Sequence, residues 1–290
     1  MREAFAGTMS RLIEEDPRTA LVLADISAAA FEPVALKHPD RVRNVGIREQ
    51  LMIGVAGGLA LTGLRPVAHS YATFLIDRAY EQIKLDLAHQ GVGAVLVSVG
   101  ASYDGSTAGY THMSPMDVQL IDTLPGWTVH VPGHPGEVAP LLAAAMPHDD
   151  PVYLRLSAQV NDIAYADAHL LRPVRHGSGA LVVAVGPMLA PVLEATRGLD
   201  VTVAYTHTPR PFDTAGLRAL AGSGNVALVE PYLAGTSAHV VSEALADRPH
   251  RLLSLGVGRV DLHAYGTPAD HARAHGLDPA GLRTALTTWL

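Results

Sequence analysis

The chain has 290 residues with 21 basic and 28 acidic side chains, a formal charge of −7, and only two lysines, Lys37 and Lys84. No basic stripe of the kind that tracks a phosphate backbone is present, so nucleic acid is excluded as the expected partner. There are no cysteines, which removes disulfides, thiolate metal sites and cysteine nucleophiles and fits a reducing compartment, with the cytoplasm as the expected location. Hydrophobic residues make up 48% and charged residues 17%, enough apolar side chain for sizeable cores, and the length suits two domains better than one.

The N-terminus, Met1-Arg2-Glu3-Ala4-Phe5, lacks the apolar core of a secretory leader. The apolar stretch 51–64 is too short and too rich in glycine to cross a bilayer, so no membrane partner is expected. Strand-length apolar runs then alternate with helix-length patterns. Strands are expected at 20–24, 65–69, 94–99, 127–131 and 152–156, with a short one ending near Val45. A helix is expected from Ile47 to Leu61, where Gly54, Gly57 and Gly58 allow close approach to the sheet. Another is expected from Asp77 to His89. Ser114-Pro115-Met116-Asp117 reads as a helix start, with Ser114 as cap and Pro115 at the first helical position.

After an irregular stretch around 151–173 the alternation restarts, with strands at 180–185, 201–205 and 226–230 and a helix after Gly235-Thr236-Ser237. The expected fold is α/β, in two domains, each a mostly parallel sheet with helices on both faces. The expected boundaries are 1–165 and 170–290. Gly222-Ser223-Gly224-Asn225-Val226-Ala227 matches a dinucleotide fingerprint by letter, but it precedes a strand instead of following one. The fifteen histidines show no metalloprotease spacing.

The string Asn44-Val45-Gly46-Ile47-Arg48-Glu49-Gln50, followed by the glycine-rich segment 51–61, resembles the pyrimidine-domain motif of transketolases, deoxyxylulose-phosphate synthases and the beta subunits of 2-oxoacid dehydrogenases. The resemblance implies thiamine diphosphate as cofactor, with Glu49 hydrogen-bonded to a ring nitrogen of its aminopyrimidine. A carboxylic acid is needed there because proton sharing with that nitrogen readies the exocyclic amine to deprotonate the thiazolium carbon, and burial favours the protonated acid. Outside the resemblance, Glu49 is an acid in a first helical turn that favours the helix dipole.

Tyr71-Ala72-Thr73-Phe74-Leu75, running into Arg78-Ala79-Tyr80-Glu81-Gln82-Ile83, is similar to the family segment that walls the pyrimidine ring. It implies Phe74, Tyr71 and Tyr80 as cofactor-binding aromatics, with core packing the competing explanation for Tyr80. One residue, Ile76 or Asp77, is extra relative to shorter family versions. Thr111-His112 aligns with the family's Asp-Gly-Pro-Thr-His loop, implying His112 as a catalytic and substrate-facing proton carrier. Ala108 stands where the family has aspartate. Asp25, at the end of the first strand, matches an Ala-Asp pair near the cofactor's centre; capping is its alternative.

Gly256-Val257-Gly258-Arg259-Val260-Asp261 and Pro209-Arg210-Pro211-Phe212-Asp213 resemble the transketolase C-terminal domain, which extends the likeness to nearly the whole chain. The family's Gly-Asp-Gly segment with its downstream Asn, which holds Mg²⁺ and the diphosphate through oxygen ligands, has no counterpart here. The only asparagines are Asn44, Asn161 and Asn225. The resemblance therefore implies the C-terminal subunit of a split, two-chain transketolase-like enzyme, with no metal ligand of its own. An N-terminal subunit carrying the diphosphate-binding domain is the expected partner, in an α₂β₂ assembly.

Of the residues that grip a sugar phosphate in the family, Arg2 survives as a substrate-binding candidate, while other positions fall at Ala29, Gly100 and around Leu156 to Ala158. A changed small-molecule or carrier-bound acceptor is expected, since phosphate recognition favours arginine. The expected activity is transfer of a two-carbon ketol unit in specialised biosynthesis. A 2-oxoacid dehydrogenase-like decarboxylase and a non-catalytic interaction subunit of the same fold are the alternatives.

Overall fold

The strand-length apolar runs of the sequence become two sheets. The structure is a computed structural model describing residues 1–260 and 263–290, so Asp261, the last residue of the Gly256 motif, lies outside the described residues. The first part runs α1 (Arg2–Glu15), β1 (Thr19–Leu23), α2 (Ala28–Lys37), β2 (Val42–Asn44), α3 (Glu49–Leu61) and β3 (Arg65–Tyr71). A wide π-type turn (Thr73–Asp77), the short α4 (Tyr80–Gln82) and a second π-type segment (Ile83–His89) lead to β4 (Val95–Val99), α5 (Asp117–Asp122), β5 (Thr128–His130), α6 (Pro135–Ala145) and β6 (Val152–Arg155). These strands form one parallel sheet in the order β2-β1-β3-β4-β6-β5.

Alternate residues of the central strands feed two different cores, as the twofold period of a strand requires. Leu21, Leu23, Val67, Val95 and Val97 meet Phe5, Met9 and Ile13 of α1, Phe31 of α2 and Leu142 of α6 on one face. Val22, Ala68 and Leu96 meet Met52, Ile53 and Ala56 of α3 and Ile83 and Leu87 on the other. A Cβ on Gly57 would fall 2.5 Å from the Asp86 carbonyl oxygen, so glycine lets α3 lie against the π-type segment.

The second part runs β7 (Arg172–Arg175), β8 (Leu181–Val185), α7 (Leu189–Ala195), β9 (Thr202–Thr206), α8 (Thr214–Leu220), β10 (Asn225–Leu233), α9 (Ala238–Ala244), β11 (Arg251–Val257), α10 (Pro268–Ala274) and α11 (Pro279–Trp289). Its sheet has the order β11-β10-β8-β9-β7, parallel except for β7, which pairs antiparallel with β9. The expected α/β architecture of two mostly parallel sheets is thus present.

Two local expectations are corrected. The helix expected from Asp77 to His89 begins earlier, at Thr73, and is not a regular α-helix: the Arg78 amide reaches back five residues to the Thr73 carbonyl at 3.1 Å. This is how an extra residue is absorbed without breaking the helical path. The helix expected to start after Ser114 starts instead at Asp117, and Ser114 does not cap it. The Ser114 hydroxyl donates to Asp77 Oδ1 at 2.8 Å, while its backbone pairs with Ser102.

The two sheets are joined by polar groups buried between them. Fully buried Arg155 donates to Asp117 Oδ2 at 2.7 Å and to the Ser102 hydroxyl at 2.6 Å, and its guanidinium lies 5.5 Å from the Tyr232 ring centroid. Ser102 in turn donates to the Pro231 carbonyl. Arg210 grips Asp122 through two nitrogens, and backbone bonds run from Val131 to the His207 carbonyl at 2.7 Å and from Val129 to the Arg210 carbonyl at 2.9 Å. Among the described residues no helix is long and apolar enough to cross a membrane.

Candidate active site

Ligand sites in open parallel sheets form beyond the carboxyl ends of the strands. Here those ends carry Asp25 after β1, Tyr71 closing β3 and Gly100 after β4. A cavity of about 330 Å³ opens there, its charged and aromatic lining supplied by Arg2, Tyr71, Asp104 and His112. Gly100, at φ +68°, lets the Tyr71 ring lie against the backbone, since a Cβ would fall 2.1 Å from Tyr71 Cδ1.

Tyr71, Phe74 and His112 form a triangle of edge-to-face rings. Their centroids are 5.9 Å apart for Tyr71 and Phe74, 5.9 Å for Tyr71 and His112, and 5.2 Å for Phe74 and His112. Such contacts hold rings in fixed relative orientation. The His112 Nδ1 is within 3.0 Å of the Thr111 hydroxyl, which turns the imidazole toward the cavity it lines.

Glu49 opens α3 and is only 1% exposed. Its Oε2 accepts from Arg78 at 2.7 Å, while Oε1 is buried with no hydrogen-bond partner. A buried polar atom left unpaired costs about 1–3 kcal/mol, so its presence marks a position awaiting a donor. The Arg78 guanidinium lies 4.2 Å from the Phe74 ring centroid, which links the carboxyl group to the aromatic triangle. Glu49, Phe74, Tyr71 and His112 are thereby brought together.

Arg2 reaches the same cavity from α1 and is held from behind. His69 is fully buried, with Nδ1 2.8 Å from the Val97 carbonyl, which can only accept. Nδ1 therefore carries the proton, and Nε2 accepts from the Ser27 hydroxyl at 2.8 Å. Ser27 Oγ accepts from Arg2 Nε at 2.9 Å. Burial pushes His69 down to about 4, which keeps it neutral and fixes the direction of the relay. Ser27 itself sits at φ 64°, a conformation unusual for a residue with a Cβ.

The remaining expected site residues lie apart from this group. Asp25, also at φ 64°, exchanges two hydrogen bonds with Asn44: its carboxylate accepts at 2.9 Å and its amide donates at 3.0 Å. The Tyr80 hydroxyl pairs with Thr123, and its ring packs on the core shared by α3 and α5. Arg155, which is not one of them, is turned into the sheet interface and does not line the cavity.

Several residues of this site carry no signal that sequence reasoning used. Arg78 was part of a matched segment without a role of its own. Ser27 and His69 are 42 positions apart and meet only because β1 and β3 are neighbours. Asp104 accepts from the Ala158 amide at 2.8 Å, and burial pushes it up to about 6. Asp77, held by Ser114, is pushed up to about 7, by burial first and by nearby Asp117 second. Among the described residues no group of three or more His, Asp or Glu side chains is arranged to hold a metal ion.

Residues 1–161 match the family model described as transketolase, pyrimidine binding domain. The chain is 55% identical, over all of its length and 95% of the other's, to an "Uncharacterized 33.6 kDa protein in fasciation locus" of Rhodococcoides fascians. It is 30% identical to the 6-deoxy-6-sulfo-D-fructose transketolase subunit SqwH of Clostridium sp. (strain MSTE9), over 79% of this chain and 75% of that one. It is also 32% identical to the 1-deoxy-D-xylulose-5-phosphate synthase of Alkalilimnicola ehrlichii, over 99% of this chain, and spans only 48% of that enzyme. Among solved structures it is similar to a chain named "Split gene transketolase, inactive beta4 tetramer", with a TM-score of 0.83, 26% identity and coverage of 99% of this chain and 96% of that one. The matched pyrimidine-binding segment carries Glu49, Phe74 and His112 alike, and the chain belongs to the transketolase-like family of thiamine-diphosphate enzymes.

Proposed function

We propose that the chain is one subunit of a heteromeric, thiamine-diphosphate-dependent transketolase-like transferase that moves a two-carbon ketol unit to an acceptor other than an ordinary sugar phosphate. The observation that carries this reading is Glu49, buried with one oxygen unpartnered and the other joined through Arg78 to the Phe74 ring, whose neighbour His112 lines the cavity together with Arg2. An aminopyrimidine is a flat ring with a nitrogen able to share a proton, and a buried carboxyl group linked through one guanidinium to an aromatic face suits it. The residues fit the group. The boundaries 1–165 for a pyrimidine-binding domain and 170–290 for a C-terminal domain belong to the same reading.

When bound, thiamine diphosphate supplies the nucleophilic carbon that cleaves the donor and carries the two-carbon unit. Glu49 holds the proton shared with the ring nitrogen, and Phe74 stacks on the ring, with Tyr71 fixing the angle of Phe74. Asp25 and Tyr80, which lie apart from this group in the cofactor-free chain, carry no step in this reading. His112 gives and takes a proton at the reacting hydroxyl oxygen, a transfer worth about 10²–10⁴-fold. Arg2, held by Ser27, takes an anionic group of the substrate.

A second chain completes the site, bringing the oxygen ligands for Mg²⁺ and the diphosphate, in an α₂β₂ assembly in the cytoplasm. The likeness to a protein named a transketolase subunit, and to a split-gene chain named inactive as a β4 tetramer, supports a partner of this kind. The test is reconstitution with that partner, thiamine diphosphate and Mg²⁺, reading ketol transfer. Glu49→Ala is expected to lower turnover at least about a hundredfold. Unchanged turnover removes Glu49 from the mechanism, and release of CO₂ from pyruvate without ketol transfer makes the complex a decarboxylase instead.

A further inference from the structure

Both oxygens of Glu49 are closed off in this chain. Oε2 is taken by Arg78 at 2.7 Å, and Oε1 is buried without a partner. A ligand nitrogen therefore reaches neither oxygen until a neighbouring group moves. Arg78 is the charged side chain that touches both the carboxylate and the Phe74 ring, and it is 38% exposed, so it has solvent to move into.

We propose that Arg78 is a stand-in for the cofactor ring: its guanidinium holds the Glu49 carboxylate and the face of Phe74 in the cofactor-free chain, and binding of the aminopyrimidine displaces it. The inference rests on the cofactor-site reading above and adds a gate to it. The chemistry of the two groups is alike. A guanidinium is planar, delocalised and stacks on aromatic faces, and here one of its nitrogens donates to the Glu49 carboxylate, as the single ring N–H of a protonated aminopyrimidine would. Two flat donors of this kind compete for one carboxylate and one ring face.

The backbone explains how Arg78 comes to be there. The π-type turn Thr73–Asp77 carries one residue more than a regular turn, and the Arg78 amide closes it on the Thr73 carbonyl at 3.1 Å. Asp77 is anchored by Ser114 at 2.8 Å. The main chain at Arg78 is thus pinned on its N-terminal side, and the side chain alone is left to swing. Phe74, fixed by Tyr71 and His112, stays where the incoming ring needs it.

A gate of this kind lowers the apparent affinity by the fraction of time it is open, so opening it tightens binding. The test uses the intact chain alone with thiamine as the probe, without metal or partner, read by calorimetric titration. Arg78→Ala is expected to bind thiamine about tenfold tighter than wild type, even though loss of the Glu49 ion pair lowers Tm. A merely structural Arg78 gives the lowered Tm with no tighter binding. Equal or weaker binding by Arg78→Ala, or none detectable, overturns the gate. Glu49→Ala and Phe74→Ala, each made in the Arg78→Ala background, separate the two claims: both should abolish thiamine binding. If binding survives both, the cofactor-site reading fails, whatever Arg78 does; if they abolish it while Arg78→Ala shows no tightening over wild type, the gate alone fails.

Discussion

Gly100 and Tyr71 lie so close that a Cβ built on the glycine would fall 2.1 Å from Tyr71 Cδ1, with the glycine at φ +68°. The Tyr71 ring, and through it the rings of Phe74 and His112, is set by the absence of that one carbon. Gly100→Ala is expected to destabilise the fold by about 1–3 kcal/mol from backbone conformation, with a further cost from the displaced ring. In a Tyr71→Ala background the second cost disappears and only the backbone cost remains. Urea unfolding of the four proteins measures this coupling. Equal costs in the two backgrounds would show that the ring is not held in this way.

The buried pair Arg155 and Asp117 lies where the two sheets meet, and both side chains are 0% exposed. Removing one partner leaves an uncompensated charge in the interior, which costs about 3–5 kcal/mol. Asp117→Ala is expected to fall in that range by denaturant unfolding and to loosen contact with the Ser102 and Tyr232 side of the interface. Replacing both residues by apolar ones of similar size is expected to cost less than either single change. A near-neutral Asp117→Ala would mean that the guanidinium finds other partners.

The two sheets were legible because their central strands are uninterrupted apolar runs buried on both faces, as in Leu181–Val185, whose five residues are all buried. α1 carries a readable pattern of its own: Phe5, Met9, Leu12 and Ile13 recur at helical spacing and are all buried. The segment after β3 was illegible because a π-type turn shifts the helical register, so Leu75 and Ile76 are both buried before Ala79 and Ile83 resume a spacing of four. Ser114 misled as a cap because its hydroxyl is committed to Asp77, a partner 37 positions away that no local pattern shows. Of the site, Glu49, Tyr71, Phe74 and His112 were reached through motif resemblance. Arg78, Ser27 and His69 were not, since their importance lies in contacts with partners 25, 29 and 42 positions away in the sequence.

Asp77 makes stability depend on pH in a direction opposite to that of an ordinary salt-bridged carboxylate. Its folded value is pushed up to about 7, from an ordinary value of 3.8, by burial and by nearby Asp117. Between those values the folded chain binds a proton that the unfolded chain has released, so this residue's contribution falls as pH rises and levels off above 7. Asp77→Asn keeps the shape without the titration. Relative to wild type it is expected to gain about 1.4 kcal/mol per pH unit between pH 4 and 7, and nothing more above that. Parallel stability curves for the two proteins would count against a buried, protonated Asp77.

His69 acts in the other direction and bears, through Ser27, on Arg2 in the cavity wall. Its folded value is pushed down to about 4 from 6.5 by burial, so between those values the unfolded chain binds the extra proton and stability is lost as pH falls. His69→Gln removes this term, and its stability curve should flatten between pH 6.5 and 4 relative to wild type. The same change alters the relay that runs from the Val97 carbonyl through Ser27 to Arg2. If Arg2 receives an anionic group, loosening that relay raises the KM for an anionic acceptor in the reconstituted complex by about tenfold, the scale of one weakened charged hydrogen bond, while kcat changes little. Ser27→Ala, which removes the middle of the relay and leaves His69 in place, should reproduce the rise in KM but keep the pH dependence of stability. A fall in kcat with KM unchanged in both variants would move Arg2 from substrate binding to another task.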